Sequence, residues 1–210
     1  MALKHLIEAF KTGVRIFKLE YFSTRKDRFG YLGKNAYLLP PTLCYKKNIF
    51  LYDNARIDYR NILYVTGGKF IMRERSGAAV GLTVITGNHT APVGHTFQDG
   101  GNTNLKEKDV IVDEDVWLGA NVTLLSGTHV CRGCVVGAGT VIRGNKIPPY
   151  AIVIGNPAKV VGFRYTVEEI IEHEKILYKE AERLPLDLLE KNYKKYYLNR
   201  IREIKQFVSI

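Results

Sequence analysis

The chain has 210 residues, 46% hydrophobic and 25% charged, the composition of one water-soluble globular domain with appendages. No apolar run reaches the roughly 20 residues a membrane span needs, and Lys4, Glu8, Lys11 and Arg15 interrupt any signal-peptide core, so the expected location is cytoplasmic. Three cysteines do not make a disulfide scaffold. The net charge of +10 favours anionic partners, yet no helix-turn-helix, zinc-finger or RNA-binding pattern puts nucleic acid among them.

Residues 3–21 place Leu3, Leu6, Ile7, Phe10, Val14, Phe17 and Tyr21 at helical spacing, with Lys4, Glu8, Lys11, Arg15 and Lys18 on the other side. This predicts an amphipathic helix. Such helices more often pack on their own protein or on a partner subunit; a basic one with aromatics also suits a membrane surface. From Phe29 to Met72, Leu32, Leu38, Leu51 and Ile57 keep a spacing near six with slips. The beat sharpens at Met72, Ala78 and Val84, then stops. Residues 90–109 are polar, carry Gly100-Gly101 and show no period, which predicts a loop thrown out of the fold, a feature that is often functional.

The beat resumes in another phase at Val112 and runs through Leu118, Leu124, Val130, Val136, Ile142, Ile154 and Val160, broken at Pro148. Four residues after each aliphatic comes a mostly small residue: Val116, Val122, Thr128, Cys134, Thr140 and Ala158, with Lys146 and Ile152 as exceptions. Neither the helical period of 3.6 nor the strand period of 2 gives a beat of six. A repeat this short is the signature of a parallel β-helix, in which stacked coils bury a continuous column. Each hexapeptide forms one flat side, and its aliphatic stacks on the counterpart three hexapeptides away. The small residues and glycines are expected at the corners, where glycine supplies unusual dihedrals.

Beyond Val161 the pattern turns helical. Thr166-x-x-Glu169 is a capping box opening a helix with Val167, Ile170, Ile171 and Leu177 on one side. Pro185 ends it. A second helix follows, with Leu189, Tyr193, Tyr197, Ile201, Ile204 and Val208 on its apolar side. These helices are expected to close the open end of the stack or to pack on a neighbouring subunit. The chain thus divides into an N-terminal helical segment (1–28), a β-helical domain with the loop 90–109 (29–165) and a C-terminal helical segment (166–210).

His89 is the first candidate for chemistry. It stands where the coil gives way to the loop, and a histidine side chain, titrating near ~6.5 in water, suits a general base at cell pH. On position alone, a surface histidine without a role is equally open. His95 lies in the loop and His129 in the regular coils. The three invite a metal-dependent hydratase reading of the β-helical carbonic anhydrase type, but His89 and His95 lack metal-ligand spacing and no carboxylate cluster accompanies them. Cys131-Arg-Gly-Cys134 fits the beat, with Cys134 in the small slot, and no second pair completes a zinc site.

The segments VITGNHT, DEDVWLGANVTLLSGTHV, VVGAGTVI and IPPYAIVIGNPAKVV resemble the hexapeptide-repeat acyltransferases, in particular the maltose, galactoside and colanic acid O-acetyltransferases, with the xenobiotic acetyltransferases close by. The resemblance covers residues 70–162 and is absent in both helical ends. It implies a left-handed parallel β-helix, a homotrimer with active sites between subunits, and acetyl-CoA as donor along the outside of the coils. The family's catalytic histidine falls on His89 and its tryptophan on Trp117. Contacts to the cofactor fall on Ala120, where many relatives have serine, on Ala138, on Arg143, where relatives often have threonine, and on Lys159 near the nucleotide phosphates. Gly144 replaces the family's usual lysine, and a one-residue insertion follows near Lys146. No bound metal is implied.

The reading is therefore direct acetyl transfer from acetyl-CoA to a sugar hydroxyl, as in surface-polysaccharide modification, with an antibiotic or amino-sugar nitrogen as alternative acceptors. The hydratase and a non-catalytic scaffold are its rivals.

Overall fold

A computed structural model describes residues 2–23, 28–39, 46–87, 89, 92–96 and 107–208. From Ile49 to Ile154 the strands follow three parallel faces in strict rotation, preceded by strands on faces one and two. Face one stacks the strands at Tyr31–Leu32, Ile49–Leu51, Phe70–Met72, Val110–Val112, His129–Val130 and Lys146–Ile147. Face two stacks Tyr37–Leu38, Arg56–Ile57, Gly77–Ala78, Trp117–Leu118, Val135–Val136 and Ala151–Ile154. Face three stacks Ile62–Tyr64, Thr83–Ile85, Thr123–Leu125 and Val141–Arg143. The architecture is the expected left-handed parallel β-helix, of about five turns.

The register shows what the sequence beat means. Leu118 pairs with Val136 and Leu124 with Ile142, each eighteen positions on, or three hexapeptides per coil. Earlier coils are longer: Leu38 pairs with Ile57 and Leu51 with Met72, which explains the slips before Met72. Met72 pairs with Val112, forty positions on, because the excursion is inserted between faces three and one. Most of that excursion, Thr90, Ala91 and residues 97–106, lies outside the described residues. The beat aliphatics from Met72 to Ile142 form the core with at most 4% exposure, each of the larger ones, Ala78 apart, contributing on the order of 1.5–3 kcal/mol through burial.

Two expectations fail at the last coil. Val130 pairs with Ile147 and Val136 with Val153, each seventeen positions on. Measured against the beat, the chain is one residue short near Lys146. Val153 therefore takes the buried slot expected for Ile154, which is half-buried, and Ala151 becomes the small partner. Val160 is buried but belongs to no coil: Lys159–Phe163 turns back antiparallel to Ala151–Ile154 and ends face two.

The corners also differ from expectation. At most corners the residue three places after the inward aliphatic adopts positive φ, and it is Asn35, Asn54, Arg60, Arg75, Asp115, Asn121 or Tyr150 more often than glycine, which takes the place at Gly81, Gly127, Gly133 and Gly139. Asparagine and aspartate tolerate this region best among side-chain-bearing residues. The glycines directly after the aliphatics have another reason. A Cβ on Gly119 would lie 2.7 Å from the Ala138 amide nitrogen, and one on Gly137 would lie 2.7 Å from Ile154 Cγ2. They permit adjacent coils to approach.

Helix α1 (Ala2–Ser23) forms as predicted, but residues 3–18 are all exposed, with Leu3 at 71% and Phe10 at 73%. Residues 3–18 bury no side of the helix on the coil. Helix α2 (Val167–Leu177) opens on the predicted capping box, the Thr166 amide donating to Glu169 Oε2 at 2.8 Å and the Glu169 amide to Thr166 Oγ1 at 3.3 Å. Its inward side includes Glu174, whereas Leu177 is exposed. The single second helix is instead two: α3 (Leu186–Tyr196) and α4 (Ile201–Val208), separated by a tight turn over Leu198–Arg200. Helix α2 docks against the corner between faces one and two, while Phe207 of α4 reaches Gly155 and Lys159 at the last coil.

Candidate active site

The predicted site residues fall into three groups. Ala120 and Ala138 are stacked at the corner between faces two and three, where the Gly139 amide donates to the Ala120 carbonyl at 2.8 Å. The amides of Gly119, Asn121, Gly137 and Gly139 all donate within the coil ladder. Those of Ala120 and Ala138 have no backbone partner among the described residues. The equivalent positions at the corner between faces one and two are Glu114 and Arg132, whose side chains pair with one another and, through Arg132, with α2. Alanine leaves its corner open, with amide donors reachable one coil apart.

Trp117 is on face two, one residue before the buried Leu118, so its indole points outward and is 52% exposed. It lies over Gly77 on the next coil, where an added Cβ would sit 3.0 Å from the indole ring. His89 follows the face-three strand Thr83–Ile85, whose exit is marked by the Thr86 amide donating to the Tyr64 carbonyl. It is exposed and described at a single position, its neighbours Asn88 and Thr90 lying outside the described residues. His89 thus follows a face-three strand, whereas Trp117 lies on a face-two strand.

Arg143 ends a face-three strand and is exposed. The ladder Ile85, Leu125, Arg143 puts it two coils beyond the strand that leads to His89, about 10 Å at the usual strand spacing. Lys159 sits on the antiparallel strand, its ammonium 4.4 Å from the centre of the Phe207 ring.

His129 is not part of this arrangement. Its Nε2 is 2.8 Å from Asp113 Oδ2 on face one, beside the buried Cys131. These three are the metal-type donor grouping found among the described residues, within 4.8 Å of one another, and neither His89 nor His95 joins them. His95 lies in an exposed turn, its amide donating to the Pro92 carbonyl at 3.1 Å. Convergence of the three histidines on one ion, which the hydratase reading requires, is absent. Cys131 and Cys134 are small buried coil residues as predicted, at 4% and 0% exposure. Burial, and then the neighbouring Asp113 charge, push the Cys131 thiol up to about 12, and burial raises Cys134 further still.

Among the described residues, cavities flank the coil on two sides. The larger, about 690 Å³, lies between face one and α3 and is lined by Asp113, Cys131, Lys146, Leu188 and Tyr196 among others, none of them a predicted site residue. The smaller, about 570 Å³, contains Trp117. It also contains Arg56, Arg75 and Arg164, which sequence reasoning missed. The signal for one of them was in the beat: the slot before the inward aliphatic on face two reads Tyr37, Arg56, Gly77, Trp117, Val135, an outward column that includes the indole.

The bacterial transferase hexapeptide family (six repeats) matches residues 109–144. The chain carries the hexapeptide repeat. Among relatives, this hexapeptide-repeat chain is 46% identical over 57 residues to an Escherichia coli protein named as an O-acetyl transferase of lipopolysaccharide biosynthesis, WbbJ, covering 27% of the chain and 29% of that protein. It is 26% identical over 137 residues to the galactoside O-acetyltransferase of Escherichia coli, covering 65% and 64%. The chain thus spans under a third of the first relative's length. A solved hexapeptide-repeat acetyltransferase from Vibrio cholerae superposes with a TM-score of 0.60 at 23% identity, covering 67% of this chain and 77% of that one, and so shares the fold. The resemblance to hexapeptide-repeat acyltransferases stated from the sequence stands on these matches.

Proposed function

We propose that the chain is an acetyl-CoA-dependent acetyltransferase acting on a hydroxyl of a saccharide. The observation that carries this reading is the open corner of Ala120 and Ala138, with two unengaged amides one coil apart, beside the outward Trp117. Such a corner suits a narrow amide-bearing arm laid along the coils. Arg143 and Lys159 lie further toward the last coil and supply cations for phosphates at its far end. Two relatives are named for O-acetyl transfer, one to galactosides and one in lipopolysaccharide biosynthesis, and the Vibrio protein has been solved with acetyl-CoA bound.

In the reaction, the acceptor hydroxyl oxygen attacks the thioester carbonyl and the His89 imidazole takes its proton. The Ala120 amide stabilises the oxyanion, and collapse expels the CoA thiolate, which recovers the proton. Transfer is direct, with both substrates held side by side. The proposed site is completed between neighbouring protomers of a trimer; that His89 follows a face-three strand while Trp117 lies on face two supports this. The exposed apolar residues of α1, Leu3, Leu6 and Phe10 among them, are covered on association; its basic flank would serve an anionic membrane instead. Sedimentation and flotation with anionic vesicles tell these two apart.

A general base contributes roughly 10²–10⁴-fold, so His89→Ala lowers turnover by about that factor in an assay of free-thiol release from acetyl-CoA, with the CoA-induced thermal shift retained. Unchanged turnover removes His89 from the role. Absence of any thermal shift with CoA points to the scaffold reading. The protein is expected to work in a cytoplasmic setting and without a metal; chelator treatment leaves turnover unchanged.

A further inference from the structure

The cavity on face two has a chemistry that the donor does not use. Its floor is the Trp117 indole, lying over Gly77 with half of its surface open. Its rim carries Arg56, Arg75 and Arg164 together with Asn54, against a single carboxylate, Asp115. Asp115 Oδ2 accepts from Arg164 at 2.7 Å, which satisfies one guanidinium and fixes it. The Arg75 guanidinium lies 5.8 Å from the centre of the Tyr178 ring and remains exposed. Arg56 is exposed, belongs to no ion pair among the described residues, and stands two coils from Trp117 in the same outward column, with only Gly77 between. The cavity therefore holds two cations in excess beside a flat apolar ring. At about 570 Å³ it falls within the range that holds a small ligand.

We propose that this cavity is the acceptor subsite and that it selects a saccharide bearing an oxyanion, a uronate carboxylate or a sugar phosphate. The apolar face of a pyranose lies on the indole. The oxyanion meets the planar donors of Arg56 and Arg75, which match carboxylate and phosphate two bonds at a time. Trp117 stands between this subsite and the Ala120 corner, so a hydroxyl of the ring on the indole is presented to the acetyl end of the donor. The inference rests on the transferase reading and adds the acceptor's charge.

The test uses the intact protein. Trp117 is its single tryptophan, so indole emission reports on this cavity alone. The protein is titrated, without CoA, with digalacturonate, with the neutral disaccharide of the same linkage, with galactose 1-phosphate and with inorganic phosphate. Saturable change is expected with the uronate or the sugar phosphate, at an affinity roughly tenfold or more above the neutral sugar, the worth of one charge-assisted hydrogen bond. Whichever of the two binds more tightly identifies the oxyanion. Arg56→Ala should abolish the preference, and Arg56→Lys should restore part of it, with Tm unchanged in both. Equal affinity for the neutral sugar, an unaltered preference in Arg56→Ala, no saturable response to either anionic sugar, or inorganic phosphate matching both sugars would each overturn the proposal. Emission is read without acetyl-CoA, so its failure leaves the CoA thermal shift and the His89→Ala assay standing, and their failure leaves this binding readable.

Discussion

Gly119 concentrates two demands in one residue. It follows the buried Leu118, and its backbone passes so close to the next coil that a Cβ would lie 2.7 Å from the Ala138 nitrogen and 3.0 Å from the Val136 carbonyl oxygen. Both are backbone atoms, so no side chain can swing aside. Gly119→Ala must push two coils apart and strain the Gly119 to Val136 hydrogen bond of 2.8 Å. Overpacking of this kind typically costs about 1–3 kcal/mol, and urea unfolding should show a loss in that range. The displaced pair is Ala120 and Ala138, so the CoA-induced thermal shift should also shrink. Gly139→Ala is the contrast: its φ of 72° strains any side chain, yet the space beside it is open. It should destabilise by roughly 1–2 kcal/mol without disturbing the coil spacing.

Among the elements, α2 depends most on one side chain. Glu174 is 2% exposed. It accepts from Tyr150 Oη at 2.6 Å, from Arg132 Nη1 at 2.9 Å and from the Leu184 amide at 3.0 Å. Its three partners come from two coils and from the segment after α2, so the carboxylate ties helix to prism. Without it Arg132 keeps Glu114, but the buried Tyr150 hydroxyl loses its acceptor, and a buried polar group left unsatisfied typically costs about 1–3 kcal/mol. Glu174→Ala should lose stability of that order in urea unfolding, while Leu177→Ala, on the exposed side of the same helix, should change it by under about 0.5 kcal/mol. A helical wheel puts Glu174 in one stripe with Ile170, Ile171 and Leu177, yet only Glu174 and Ile170 are buried and Leu177 is exposed, because burial was decided by partners on coils that the wheel does not contain. The coils themselves were legible, since a period of six with aliphatic and small slots is satisfied by few backbones. Its failure at Ile154 traces to one missing residue near Lys146, invisible until the Val130 and Ile147 register is known. The acceptor cavity was not legible, because Arg56, Arg75 and Arg164 are far apart in sequence and meet only through stacking and the return of the chain after Phe163.

At the scale of the whole molecule, the buried acidic hydrogens set how the fold responds to pH. Burial, and then Asp113, hold the Cys131 thiol up to about 12 from an ordinary 9.0. Burial alone leads the rise of Tyr178 from 10.0 to about 12, which Arg132 partly opposes. Tyr150 is pushed up by burial and by its hydrogen bond to Glu174, and Cys134 by burial. All four shifts have the same sign. The folded chain keeps protons that the unfolded chain releases above about pH 9. Stability from these groups is therefore fully present at neutral pH, where both states are protonated, and drains away as pH rises from about 9 through 12. Each group in its window adds a slope of up to about 1.4 kcal/mol per pH unit, so the loss should be steep and cooperative. The urea midpoint is expected to be level from pH 7 to about 8.5 and to fall progressively above 9. Cys131→Ala removes one such proton and should flatten the fall. A midpoint that holds to pH 11 in the parent chain would mean that these thiols and phenols are hydrated, and that the corner between faces one and two is looser than its hydrogen bonds indicate.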